Sequence, residues 1–367
     1  MQVQRLETSV FTVPNEDEQT ESDGTLSWDA VTMVVVEAIA DEQHRGLGYT
    51  YGSEVSATLV DKKLRSLVEG QPVERHRDIW EAMVRAVRNL GRPGIASLAI
   101  SAVDAALWDL RAKVLGLPLY RLLGVRRTEV PIYGSGGLTS YDESKLVEQL
   151  RGWVDQGIPR VKMKIGVNRG SRPDIDLRRM ESVRAAIGED PELFVDANGA
   201  YTVKQAVGMA GRLQELGVVY FEEPVSSDQL QDLALVRHSV PFDVAAGEYG
   251  YDPWYFRSMV AAGAVDVLQA DTSRCLGITG WLEAGAVAHA SGLPFSAHCC
   301  PSLTLHPACA APELAHLEYF WDHIRIERML FDGWPAAQPG GTISPDPSRP
   351  GVGLELKRGD AARWRVA

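Results

Sequence analysis

Two different spacings of apolar residues divide the chain. In residues 1–125, extended runs around Val3 to Val13 and Val31 to Ile39 flank the polar stretch PNEDEQTESDG, a pattern that predicts a hairpin with a long tip. Helical periodicity follows in SATLVDKKLRSLVEG, in DIWEAMVRAVRNL and in the Ala-rich ASLAISAVDAALWDLRAKVLG, which is stopped by Gly116 ahead of Pro118. Strands followed by helices predict an α+β unit.

From Val130 the pattern changes to short apolar strands alternating with longer amphipathic helices, as parallel βαβ units require. VPIYGSGG, VKMKI, LFVDAN, VVYFEEP, FDVAAGE, VDVLQADT, LPFSAHCC and HLEYF are the strand candidates, and their number makes a TIM-like α/β barrel over residues 126–332 the simplest closure. Residues 333–367 are rich in Pro and Gly. They read as a C-terminal segment returning to the first unit, with VGLEL as the stretch expected to pair there.

With 367 residues, 45% of them hydrophobic, the chain can bury one large core and a smaller one. A net charge of -12 argues against non-specific binding to nucleic acid or to an anionic membrane, but leaves a small anionic ligand open, because local charge decides that. The early residues contain no apolar run of signal-peptide length, and VTMVVVEAIA is short and carries Glu37, so a soluble cytoplasmic protein is expected. We also expect a homo-oligomer. Cys275, Cys299, Cys300 and Cys309 all fall in the last third and are expected to be reduced and structural. Adjacent Cys299 and Cys300 would point to opposite sides of a regular strand, which rules out a two-thiolate clip there.

The chemistry lies in the polar residues that close the strands. Asp196, Glu222 and Glu248 end apolar runs at equal intervals, each close to the roughly 30 residues of one strand and its return helix. Parallel barrel strands end at one rim, so the three carboxylates converge, and a hard divalent cation, Mg²⁺, is the expected remedy for their repulsion. Lys162 and Lys164, two residues apart, share a face, while Val161, Met163 and Ile165 face the helices. Each ammonium, together with the cation, lowers the other's proton affinity, which suits one lysine to act as a base. Asp271 and His298 close adjacent strands, so the carboxylate can orient the imidazole as a second base. Glu318 is expected to be a protonated hydrogen-bond donor, with a salt bridge as the alternative, and Asn198 and Glu223 to orient the metal ligands. The other histidines, including His289, His306, His316 and His323, lack a comparable partner and read as structural. GSGG at Gly134 to Gly137 lacks the lysine and hydroxyl of a phosphate loop and reads as a strand end needing small residues.

Two bases facing each other across a cation suit removal of a proton from the carbon next to a carboxylate. A general base supplies only about 10²- to 10⁴-fold, so the positive charge must stabilise the enediolate as well.

VKMKIG, VDANGAY, FEEP, AAGEYGY, QADTSRCLGITGW, SAH and HLEYF, with SAVDAALWDLRAKVLGLPLYRLLG before them, resemble the mandelate racemase subgroup of the enolase superfamily across nearly the whole chain. The resemblance implies a modified TIM barrel, (β/α)₇β, under an N-terminal α+β capping domain whose loops near Asn15 to Gly24 and Tyr49 to Ser53 close on the substrate. It implies Mg²⁺ on Asp196, Glu222 and Glu248, with Lys164 as acid/base and Lys162 at the substrate carboxylate. Asp271 and His298 then form the opposite dyad, with Glu318 as electrophilic donor. His298 is followed by Cys-Cys-Pro and Arg274 stands where some relatives have lysine, so mandelate is not assigned. The expected activity is that of a lyase, dehydrating a sugar acid to a 2-keto-3-deoxy acid. The alternatives are an isomerase that racemises or epimerises a 2-hydroxy acid with the same residues, and a noncatalytic metal- or ligand-binding barrel.

Overall fold

The computed structural model describes Met1–Ala367. Its N-terminal part is built on a three-stranded antiparallel sheet of Arg5–Pro14, Ala30–Ile39 and Arg45–Tyr51, with Ala30–Ile39 in the middle. The first pair runs in unbroken register from Arg5 opposite Ile39 to Pro14 opposite Ala30. Val36 and Ala38 pack on Ile79, Met83, Val103 and Leu107 of the helices His76–Ala86 and Ile95–Val114. Met33 and Val35 pack on Ile278, Leu303, Ile326 and Phe331 from the C-terminal half. Burial on both faces explains why this middle strand reads as a continuous apolar run, MVVVEAI, rather than an alternating one.

The third strand, Arg45–Tyr51, is not among the strands expected from the sequence, because its glycines blur the pattern. They have a packing reason. A Cβ on Gly48 would sit 2.2 Å from the Ala102 carbonyl and 2.4 Å from the Ala106 nitrogen, so bare backbone is what lets the helix Ile95–Val114 lie directly on the strand. Tyr49–Tyr51 belongs to this strand, and the expected loop begins only at Gly52. The tip between the first two strands folds into a small hairpin pairing Glu21 with Trp28.

The barrel has eight parallel strands: Val130–Gly136, Arg160–Lys164, Glu192–Asp196, Val218–Glu222, Asp243–Ala246, Val267–Ala270, Phe295–Ala297 and Leu314–Phe320. It closes where Leu314–Phe320 pairs with Val130–Gly136, Leu317 standing opposite Ile132. Each strand was expected from the sequence. Val161, Met163 and Ile165 join the large core between strands and helices, whereas Tyr133, Phe194, Tyr220, Ala245 and Val267 fill the lumen. Gly134 and Gly136 make room for Trp153 and Gln149 of the first barrel helix.

The tail departs from expectation at VGLEL. Val352 N does donate to Asp109 Oδ1 of the first domain at 2.6 Å, but the strand Glu355–Leu356 pairs antiparallel with Phe331–Asp332 beyond the last barrel helix. Phe331 and Leu354 share one apolar cluster, and that burial holds the strand in place. The link back to the N-terminal sheet comes later, where Val366 N donates to the Val10 carbonyl.

The helix Ile95–Val114 also anchors the cap to the barrel through a buried carboxylate. Asp104 accepts from Thr279 N at 2.9 Å and Thr279 Oγ1 at 2.7 Å. Burial pushes its carboxyl from 3.8 up to about 7. The folded state then holds a proton that the unfolded chain has released, so this group's stabilising share is full below about 3.8 and lost as pH rises through about 7. Two outcomes are expected. In urea unfolding, Gly48→Ala loses about 1–3 kcal/mol by overpacking, and an unchanged midpoint contradicts the packing reason given for Gly48. The stability of the native protein relative to Asp104→Asn falls between pH 4 and 7, whereas a difference that is flat with pH contradicts the buried-proton account.

Candidate active site

Register builds the site before any side-chain detail matters. Lys164 stands opposite Asp196 and Asp196 opposite Glu222 on three successive parallel strands, so their side chains leave the barrel side by side. Glu248 lies just past the end of Asp243–Ala246, after the turn at Gly247. Oxygens of Asp196, Glu222 and Glu248 lie within 4.8 Å of one another. Asp196 and Glu222 are 0% exposed and Glu248 3%, so water does little to screen their repulsion.

The lysines supply the compensating charge. Lys164 Nζ donates to Asp196 Oδ2 at 2.5 Å. Lys162 Nζ, fully buried, lies 2.6 Å from Glu222 Oε2, 2.8 Å from Glu318 Oε1 and 3.3 Å from Asp196 Oδ2. Burial alone would lower the proton affinity of Lys164, but Asp196, Glu248 and Glu222 outweigh it and hold the ammonium above its ordinary range. Lys162 is raised in the same way, by Glu222 and Glu318. This differs from the expected depression. The neighbouring carboxylates outnumber the two lysines, so their attraction exceeds the Lys–Lys repulsion, and only a cation bound at those carboxylates would reverse the balance.

Asp271 and His298 meet as expected. His298 Nδ1 lies 2.7 Å from Asp271 Oδ2, and Ser273 N and Oγ donate to Asp271 Oδ1 at 2.6 and 2.8 Å. Burial would raise the Asp271 carboxyl, but the hydrogen bond to His298 and the charges of His298 and Arg274 hold it down to about 2. Burial would lower the His298 imidazole, and Glu248, Glu318 and Asp271 raise it overall. With Asp271 ionised, Nδ1 carries the proton and Nε2 faces Glu248 Oε2 at 3.4 Å.

Glu318 forms a salt bridge with Lys162, the alternative to the protonated donor. Burial favours the neutral acid, but Lys162, His298 and Lys164 hold the carboxyl well below its ordinary range. Ser135 Oγ donates to its Oε1 at 2.6 Å. Asn198 and Glu223 follow the strand ends of Asp196 and Glu222 in left-handed conformations, φ 44° and 37°, and Gly199 N donates to the Glu223 carbonyl, tying the two loops together. The histidines given a structural reading have structural partners: His316 sits beside Ser296 and His306 is held between Tyr120 N and the Val352 carbonyl. His323 is stacked on Tyr51 at 3.5 Å between centroids.

Three contributors were missed. Ser135 lies inside the GSGG strand end, where only its small size was considered. Arg274 is close to both Glu248, at 3.2 Å, and Asp271, at 3.4 Å; its position three residues after Asp271 was the available signal. Cys299 was given a structural role on the packing tendency of free cysteine, and its direction was read on the premise of a strand, but the strand ends at Ala297 and both cysteines take φ 46°, turning Cys299 Sγ to within 3.2 Å of Glu318 Oε2.

The cap seals the rim. Thr139 N donates to the Ser22 carbonyl and Arg169 N to that of Gly24, docking the acidic loop on the loops after the first two barrel strands. Thr50 Oγ1 donates to the Ser273 carbonyl at 2.8 Å beside the dyad.

The residues fit a hard divalent cation. Glu222 Oε1 and Glu248 Oε2 are buried without a hydrogen-bond partner, as are Glu223 Oε1 and Asn198 Oδ1 beside them. Orphaned buried oxygens cost stability unless something positive meets them, and an all-oxygen donor set is what Mg²⁺ takes.

Comparison with known proteins agrees with this geometry. Residues 145–361 match the enolase C-terminal domain-like family, and residues 9–124 the N-terminal domain of mandelate racemase / muconate lactonizing enzyme. The chain is 32% identical over 344 residues to an arabinonate dehydratase of Saccharolobus solfataricus, covering 88% of this chain and 89% of that one. It is 31% identical over 362 residues to a 3,6-anhydro-alpha-L-galactonate cycloisomerase of Streptomyces coelicolor, covering 96% and 97%. Among solved structures, a mandelate racemase/muconate lactonizing enzyme-like protein from Rubrobacter xylanophilus superposes with TM-score 0.95 at 49% identity over 100% of both chains. A racemase from Streptomyces coelicolor with bound magnesium gives 0.91 at 29% identity, covering 99% of each.

Mg²⁺ at a hundred times its Kd is expected to stabilise the protein by about 2.7 kcal/mol, read as a rise in Tm. Asp196→Ala should lose that rise; an equal rise in the variant would place the cation elsewhere.

Proposed function

The chain belongs to the mandelate racemase/muconate lactonizing enzyme family of the enolase superfamily, and on that premise we propose that it dehydrates a sugar acid to a 2-keto-3-deoxy acid. The observation that carries the reading is an ionisable nitrogen on each side of one carboxylate cluster: Lys164 Nζ against Asp196, and His298 Nε2 facing Glu248. Binding alone needs neither base, which speaks against a noncatalytic barrel.

In this reading Asp196, Glu222 and Glu248 hold Mg²⁺, oriented by Asn198 and Glu223. When bound, the cation supplies the positive charge that a carboxylate needs on acquiring a second negative charge as its α-proton leaves. Lys162, deep in the rim with Glu318 and Ser135 around it, orients the substrate carboxylate. Lys164 Nζ or His298 Nε2 removes the α-proton. Asp271 keeps the His298 Nδ1–H in place, so Nε2 is the atom that receives and returns a proton. Protonated His298, an imidazolium stabilised by Asp271 whether it has taken the α-proton or already carries its own, protonates the departing β-hydroxyl, and the enol tautomerises to the keto acid. The buried rim keeps water from quenching the carbanionic intermediate.

A cytoplasmic location and a homo-oligomer belong to the same proposal. Four buried free thiols suit a reducing compartment. No helix is long and apolar enough to cross a membrane. A cationic, tryptophan-lined groove with Arg325, Arg328 and Arg363 lies beside an acidic one with Glu16, Asp17 and Glu148, a pairing that suits self-association.

Lys164→Ala and His298→Asn should each reduce turnover by at least about 10²- to 10⁴-fold while retaining the Mg²⁺-dependent rise in Tm. Unchanged turnover in either would remove the mechanism. A panel of sugar acids assayed for keto-acid formation, with proton exchange followed in D₂O, tests the reaction itself: exchange without keto acid across the panel favours racemisation or epimerisation.

A further inference from the structure

None of these steps uses the thiol that stands beside the imidazole. Cys299 Sγ lies 3.4 Å from His298 Nε2 and 3.2 Å from Glu318 Oε2, and His298 Nε2 is 3.6 Å from Glu318 Oε2. All three side chains are buried. A tetrahedral zinc ion, with bonds of about 2.0–2.1 Å to nitrogen and oxygen and about 2.3 Å to sulfur, places neighbouring ligand atoms roughly 3.3–3.6 Å apart. Two edges of the triangle, 3.4 and 3.6 Å, fall in that range, and the Sγ–Oε2 edge of 3.2 Å falls just short of it.

The surroundings leave these three atoms available. His298 Nδ1 is committed to Asp271, so the Nε2 lone pair is free, and a carboxylate behind a histidine is the usual way to orient a metal-binding imidazole. Glu318 divides its oxygens: Oε1 meets Lys162 and Ser135, whereas Oε2 meets Cys299 N and Sγ. The left-handed turn at Cys299 and Cys300 is pinned by Cys300 N donating to His323 Nδ1, which keeps Sγ on the rim side. The fourth position of the tetrahedron is open to water, and Glu248 stays with the all-oxygen site.

We propose that His298 Nε2, Cys299 Sγ and Glu318 Oε2 form a second cation site, selective for a borderline-soft divalent ion of the zinc class and next to the all-oxygen site of Asp196, Glu222 and Glu248. Thiolate and imidazole favour Zn²⁺ over Mg²⁺, which takes oxygen ligands. Binding forms an S–metal bond and releases the thiol proton to solvent. Its consequence rests on the function proposed above: an imidazole whose Nε2 is bound to a metal can neither take nor return a proton, so zinc arrests turnover while Mg²⁺ keeps its place.

Co²⁺ serves as the spectroscopic probe for zinc, added to the Mg²⁺-loaded protein. One equivalent is expected to give a thiolate-to-cobalt charge-transfer band in the near ultraviolet and the intense visible bands of a four-coordinate ion, all displaced by Zn²⁺. Cys299→Ser and Cys299→Ala should lose the charge-transfer band and weaken Zn²⁺ by at least about 100-fold, the upper end of what losing an outer-shell partner costs. Cys309→Ser should keep both. Weak six-coordinate bands alone, or a charge-transfer band that survives in both Cys299 variants, would overturn the site. The readout needs no substrate: a cobalt band without turnover on any acid counts against the proposed reaction and not the site, and turnover without the band does the reverse.

Discussion

Charge balance in a dry rim is the constraint on which the rest of the structure depends. Asp196, Glu222, Glu248 and Glu318 are almost wholly buried, and Lys162 and Lys164 are the ammonium groups set among them. An unpaired buried ion costs several kcal/mol, so each carboxylate needs its counter-charge within a few ångströms. Parallel register meets that need at once: Lys164, Asp196 and Glu222 are neighbours across three strands, and a slip of one residue would turn their side chains into the helix-facing core. The same imbalance that favours a cation here also holds the lysines protonated in its absence.

The cap follows from this constraint. A rim left open to water would weaken every one of these interactions, and a separate lid resting on it would need an apolar face on each side. The middle strand Ala30–Ile39 provides both faces, one for its own helices and one for the barrel. Asp104 on the cap helix accepts from Thr279 in the barrel, and Tyr51 is stacked on His323, so the strand carrying Tyr51 is fixed close to the turn that presents Cys299. The sheet that stabilises the cap thus also helps shape the site below it.

Local physics made much of this legible in the sequence. All eight barrel strands could be read because each is a short apolar run between helical periods. The shared face of Lys162 and Lys164 follows from strand alternation alone. Reading failed where one residue's conformation or a distant partner decides the outcome. The strand Arg45–Tyr51 was lost because Gly46 and Gly48 answer to a helix more than fifty residues away. VGLEL meets the first domain at Val352 as expected, yet its strand pairs elsewhere, since an apolar stretch states that it will pair and not with what. Cys299 was turned the wrong way because alternation holds only inside a strand, and here the strand stops at Ala297.

The sequence by itself determined the α/β barrel, the α+β unit before it and the order of charged groups along the strand ends, because these depend on periodicities of two and 3.6 residues that neighbouring residues set. Only the tertiary structure decided the ion-pair partners of Lys164 and Glu318, the share of each Glu318 oxygen, and the closeness of Cys299 to His298. Those properties depend on distances of three to four ångströms between residues far apart in the chain, and on the exclusion of water that folding alone brings about.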